Sequence, residues 1–226
     1  MGGDERSALM ECVSDLRLYL HQRYGLPLKA RRGVDTPAAQ PSDDSPLSTL
    51  RAELVDCRRC ALCGGRTSVV FGEGPDRAQV MIVGEAPGAE EDIQGKPFVG
   101  RSGQLLTKML EAIGLSRDSV YITNVVKCRP PENRDPKPDE VDTCSPFLRE
   151  QIRIIQPRLL LALGSHAAQT ILQTKEPIMQ LRGKSYTYAG VPLIVTLHPA
   201  ACLYNPNNKK FVWEDIKGIP NLLKND

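Results

Sequence analysis

Long apolar runs are missing from this chain. The longest in its 226 residues is the five-residue stretch Leu159–Leu163, where a helix crossing a bilayer needs ~20. No apolar stretch follows the acidic opening Met1-Gly2-Gly3-Asp4-Glu5 as it would in an export signal, so a cytoplasmic protein is expected. Charge of one sign is also lacking. The 29 basic and 27 acidic residues leave a net +2, too little on its own to mark a nucleic-acid binder. The first 48 residues hold six Lys/Arg and seven Asp/Glu, so the remainder leans weakly toward a polyanion. Internal repeats are absent as well. Collagen, coiled coil, membrane span and wholesale disorder are excluded.

Glycine and proline are plentiful, at 18 each, so loops and turns should be prominent. The length suits one α/β domain with an appendage, and is ample for a buried core. Residues 5–24 carry Leu9, Val13, Leu16 and Leu20 at helical spacing, and Gly25 would end that helix. A helix of this kind packs on its own domain or docks on a partner protein. The stretch PLKARRGVDTPAAQPSDDSP follows, with four prolines and no apolar periodicity. The expected organisation is therefore an N-terminal amphipathic helix (1–25), a flexible linker (26–45) and a main domain (46–226). Ser45-Pro46 opens that domain as an N-cap and first-turn pair.

Within the domain, strand and helix signals alternate. Apolar segments at 78–83, 120–126, 159–163 and 193–197 read as strands. Helices are expected at 102–113, 139–155 (broken or restarted at Ser145-Pro146), 165–172 and 211–223 (disturbed at Gly218 and Pro220). This alternation implies an α/β fold built on four parallel strands with both faces covered.

Ligands in such sheets sit beyond the carboxyl ends of the strands. Strand one leads into Gly84-Glu85-Ala86-Pro87-Gly88. Asn124 lies near the middle of strand two, and Lys127-Cys128-Arg129 just after it. Strand three ends at Gly164-Ser165-His166 and strand four at His198-Pro199-Ala200. A carboxylate, an amide and imidazoles thus converge on one edge. The segment Gly84–Gly88 is neither a Walker loop nor a dinucleotide fingerprint.

Cysteine carries the other signal. There are seven, at 12, 57, 60, 63, 128, 144 and 202. An odd count with a C-x2-C pair and no export signal points to thiolates that hold a metal in a reducing compartment. Cys57, Cys60, Cys128 and Cys144, with no histidine nearby in sequence, fit Zn²⁺ or an iron–sulfur cluster equally well on spacing.

These motifs together resemble the family-4 uracil-DNA glycosylases, which carry a [4Fe–4S] cluster. The resemblance rests on Cys57-x2-Cys60, GRTSVVFGEG (65–74), VMIVGEAPGAEED (80–92), GKPFVGRSGQLL (95–106), YITNVVKCRPPENR (121–134), LRGKSY (181–186) and HPA (198–200). It implies a three-layer sandwich around a four-stranded parallel sheet, with Cys57, Cys60, Cys128 and Cys144 holding the cluster and Cys63 left over. It further implies uracil-containing DNA as substrate and a monomer. Ala86, Gly88, Phe98, Asn124 and His198 would line the uracil pocket, with Phe98 stacking on the ring. Asn124 would read the base edge, accepting from N3–H and donating to O4. His198 would donate to O2 as the base leaves. Glu85 is the first candidate for the carboxylate near C1′ and Glu91 the second. Arg129, Arg134, Arg182, Lys184 and Lys209-Lys210 are candidate phosphate contacts, and Leu203 a candidate wedge into the base stack. A redox iron–sulfur protein and a non-catalytic DNA-binding module of the same fold are the competing readings.

Overall fold

The apolar segments pair into a five-stranded sheet in the computed structural model, which describes residues 45–224. The N-terminal helix and most of the linker expected from the sequence lie outside the described residues. In chain order the strands are β1 (Val80–Gly84), β2 (Tyr121–Asn124), β3 (Leu159–Leu163), β4 (Ser185–Tyr188) and β5 (Val191–Thr196). They lie side by side as β2-β1-β3-β5-β4.

The four expected strands are parallel. Gly84 stands opposite Asn124, Val83 opposite Ala162 and Leu163 opposite Thr196. The fifth, β4, is an addition to the expected sheet. It runs antiparallel to β5 at the edge, joined by Ala189-Gly190, both at positive φ. Its four residues alternate exposed and half-buried, so they form no apolar run. Every residue of β1, β2 and β3 is buried, as strands covered on both faces must be.

The flanking helices are α1 (Pro46–Leu54), α2 (Ala89–Gln94), α3 (Arg101–Ala112), α4 (Pro138–Ile155), α5 (Ser165–Leu172), α6 (Ile178–Leu181), α7 (Pro199–Tyr204), α8 (Lys209–Ile216) and α9 (Ile219–Leu222). Ser45 caps α1 by accepting from the Ser48 N–H, and Leu47, Leu50 and Leu54 form its buried face. On α3 the buried face is Leu106, Met109 and Leu110, with Leu105 only half-buried. The break expected at Ser145-Pro146 does not occur. Pro146 sits inside a continuous α4, exposed, while Cys144, Phe147, Leu148, Gln151, Ile152 and Ile155 are buried. Burying that face offsets the hydrogen bond that the proline removes. At Gly218 the helix does stop, and α9 restarts it. No helix among the described residues is long and apolar enough to cross a membrane.

From β1 the chain moves outward to β2, then crosses to β3 on the other side of β1. The crevice beyond the carboxyl ends of β1 and β3 is therefore the topological switch point. Glu85 follows β1 directly, and His166 stands in the first turn of the helix after β3.

Candidate active site

Gly84 forms the floor. A Cβ there would lie 2.4 Å from Asn124 Oδ1 and 2.5 Å from Phe98 Cζ. Amide and ring thus rest on bare backbone, which only glycine allows. Asn124 is 1% exposed, and its Oδ1 has no hydrogen-bond partner. Among the described residues it shares that state only with Trp213 Nε1. An orphaned buried acceptor costs about 1–3 kcal/mol, which a donor on a ligand would recover. The Phe98 ring lies 5.5 Å from that of His198, with an interplanar angle of 30°.

His198 is the N-cap of α7. Its Nδ1 accepts from the Ala200 N–H at 3.2 Å, which leaves the proton on Nε2. Burial pushes its pKa down to about 4, against the opposing pull of Glu91. The imidazole is neutral at physiological pH and offers one N–H donor. Gly164 lets the end of β3 approach it: a Cβ there would lie 3.1 Å from His198 Cβ, at a φ of +89°.

The two candidate carboxylates are treated differently by the fold. Glu91 is buried, and three backbone N–H groups occupy its oxygens. Val99 and Gly100 donate to Oε1, both at 2.9 Å, and Gly88 donates to Oε2 at 3.2 Å. It braces the loop, and it consumes the Gly88 N–H as well. Ala86 is half-buried against the core. Glu85 is 29% exposed at its side chain, with Oε2 4.0 Å from His166 Nε2. His166 Nε2 in turn lies 3.3 Å from Asp135 Oδ2. Burial raises the Glu85 pKa, with His166 pulling it down and Asp135 pushing it up.

A second centre lies in the cysteines. Cys57, Cys60, Cys128 and Cys144 line one narrow cleft, and Cys63 is not among its lining residues. Arg66 Nη1 donates to Cys57 O at 2.7 Å and to Cys128 Sγ at 3.3 Å. The Lys127 N–H donates to Cys144 Sγ at 3.4 Å. Burial raises the thiol pKa of Cys60, Cys128 and Cys144, so bare thiolates are disfavoured there without a cation.

A family model described as the uracil DNA glycosylase superfamily matches residues 71–217. The chain is 49% identical over 185 residues to a type-4 uracil-DNA glycosylase of Sulfurisphaera tokodaii, covering 78% of this chain and 84% of that protein. The chain belongs to the type-4 uracil-DNA glycosylases. A type-4 enzyme of Saccharolobus solfataricus is 45% identical over 186 residues, 78% of this chain and 86% of that one. Another, of Thermotoga maritima, is 44% identical over 174 residues, 75% and 91% of the two chains.

The basic residues of this glycosylase divide into two groups. Arg182 is 15% exposed at its side chain. It donates to both oxygens of Asp215, at 3.0 and 2.7 Å, and to Phe211 O at 2.8 Å. Arg134 forks onto Glu140 at 2.9 and 2.7 Å. Each guanidinium expected at a phosphate is thus paired with a carboxylate within the fold. Arg129 is held by Asn133 Oδ1 at 2.8 Å and stays half-exposed, and Lys184 is exposed. Leu203 is half-buried, whereas its neighbour Tyr204 is 95% exposed.

Lys127 was not singled out in the sequence for this part of the glycosylase. It is 1% exposed, and its Nζ donates to Thr123 Oγ1, Asn124 O and Gln151 Oε1, all at 2.6 Å. A lysine inside the run Val125-Val126-Lys127-Cys128 was the available signal.

Proposed function

We propose that this protein binds DNA, takes uracil out of the base stack into the pocket on Gly84, and hydrolyses its N-glycosidic bond to leave an abasic site. The observation that carries this reading is the buried, unpartnered Asn124 Oδ1 beside an aromatic ring and a neutral imidazole donor. Uracil has the complementary edge. Its N3–H satisfies that orphan acceptor, and its O4 accepts from the same amide. Cytosine presents an acceptor and a donor at those places. Each mismatched buried group then costs about 1–3 kcal/mol.

Phe98 stacks on the flipped ring. As the bond between N1 and C1′ breaks, its electron pair stays on the base, and His198 Nε2–H donates to O2 to stabilise that charge. The sugar develops oxocarbenium character. Glu85 faces it as an anion and positions the water whose oxygen bonds to C1′, while the uracil anion takes up a proton. Glu91 holds the loop that carries Glu85 and Phe98. On the DNA surface, Arg129 and Lys184 meet phosphates, and Tyr204 supplies the exposed side chain against the opened stack that Leu203 was expected to supply.

The thiol-lined cleft suits a [4Fe–4S] cluster held by Cys57, Cys60, Cys128 and Cys144. A single Zn²⁺ would draw sulfurs to about 3.8 Å from one another, given Zn–S ≈ 2.3 Å. Among the described residues, the group that brings three ligand atoms within 4.8 Å of one another is Glu85, Asp135 and His166 rather than these thiols. Holding the cluster, these four cysteines would tie together the segment before the turn at Ala61–Gly64, the loop after β2 and α4. A thiol-held metal centre suits a reducing cytoplasm, and that is where a monomer of this enzyme would act.

Product inhibition tests the base reading. Free uracil is expected to slow excision, with thymine and cytosine far weaker, and Asn124→Ala should lose the preference. Equal inhibition by all three bases would overturn the role given to Asn124.

A further inference from the structure

Phe98 has φ +52°, a backbone that a bulky L residue rarely adopts. Such a conformation persists only where the surroundings over-determine it. Two clamps are visible. On one side, α3 presses in: a Cβ on Gly103 would lie 1.9 Å from Phe98 O. On the other, Arg117 reaches over from the short turn Arg117–Ser119 that precedes β2. Its Nη1 donates to Phe98 O at 2.9 Å, and its Nη2 donates to Pro97 O.

The guanidinium is itself anchored. Its Nε and Nη2 donate to Glu73 Oε2 at 3.4 and 3.1 Å. The other oxygen of Glu73 pairs with Lys96 Nζ at 3.0 Å. Glu73 is fixed to β2 by reciprocal backbone bonds with Ile122 at 2.9 and 2.8 Å. An unbroken chain of contacts therefore runs from the central sheet to the peptide that carries the ring. Only a planar fork can hold two successive carbonyls and a carboxylate at once.

We propose that Arg117 is a positioning residue for uracil excision: by gripping the Pro97 and Phe98 carbonyls it aims the Phe98 ring at the base. The proposal rests on the reading of Phe98 as the stacking platform. Arg117 touches neither base nor sugar, so its whole effect passes through Phe98.

A double-mutant cycle tests this on cluster-loaded protein and a single-uracil oligonucleotide, with Arg117→Ala, Phe98→Ala and the double variant. Each single change is expected to lower kcat/KM about tenfold or more, the scale of a lost base–aromatic stack. With Phe98 already alanine, Arg117→Ala should cost less than about twofold. The same loss in both backgrounds, or no loss from Arg117→Ala alone, would overturn the proposal. Millimolar guanidinium ion, which can refill the fork, should raise the rate of Arg117→Ala and leave the double variant unchanged. Equal rises in both would show an effect independent of the ring, and so count against it. Thermal melts accompany each variant to separate unfolding from misplacement. If Phe98→Ala excises at the full rate, the stacking assignment fails and this inference fails with it. If Phe98→Ala is slow and the cycle is additive, the inference alone fails.

Discussion

At the scale of single residues, the two glutamates next to the pocket differ in what meets their oxygens. Glu91 receives three backbone N–H groups, whereas the charged groups that act on the Glu85 carboxyl are His166 and Asp135. Glu85→Gln is therefore expected to lower kcat at an unchanged melting temperature. Glu91→Gln should lower the melting temperature, because an amide nitrogen replaces one of the accepting oxygens. Kinetics and melts of the two variants compare directly. His198→Ala and Asn124→Ala should each reduce excision about 10²–10³-fold, the usual cost of a lost donor at developing charge, with the visible absorbance of the cluster retained.

The pH dependence follows from the same groups. Protonating Glu85 removes the negative charge opposite the sugar, so kcat/KM should fall as pH drops through its pKa, which lies above the ordinary carboxylate value of 4.5. His198 adds no limb near its ordinary value of 6.5, because it stays neutral down to about pH 4. A limb near 6.5 that vanished in His198→Gln would contradict this. The placement of Glu85, Asn124 and His198 at the carboxyl ends of their strands was legible in the sequence from the strand–helix alternation. The hydrogen-bond partners of Glu91, Arg134 and Arg182 were not. Nothing in a residue's identity says whether a buried partner will claim it, as the Asp215 carboxylate claims Arg182.

At the scale of elements, the sharpest constraint is the end of β1. Gly84→Ala puts a methyl group 2.4 Å from Asn124 Oδ1, so the amide and ring must both shift. The variant should fold, keep its iron and lose uracil excision. Folded protein with a wild-type rate would disprove that packing. Lys127→Met removes the donor from three buried acceptors around β2 and α4. Its unfolding free energy should drop by about 3 kcal/mol or more, read as a lower denaturation midpoint. The buried strands were legible as apolar runs. The edge strand β4 was not, because half its residues face solvent and it pairs on one side only. The uninterrupted α4 was also hidden, since the apolar face that carries it past Pro146 acquires its value only from packing.

At the scale of the whole molecule, the chain joins two centres, a sulfur-lined cleft and a base pocket. Lys127 touches both, through its N–H on Cys144 and its Nζ on the Asn124 carbonyl. The cysteine assignment predicts that Cys63→Ser keeps full iron and sulfide content, while Cys144→Ser loses most of it. Equal loss in both would reopen the ligand set. A set of four cysteines suited to a metal was legible from spacing, but the choice of cluster over zinc came from the resemblance. The most direct measurement is excision from a labelled duplex containing one uracil, beside a thymine control, with protein assayed for iron and sulfide. The account predicts alkali-sensitive breaks at uracil alone, lost in His198→Ala. Cluster-loaded wild-type protein that binds the duplex and leaves the uracil in place would contradict it.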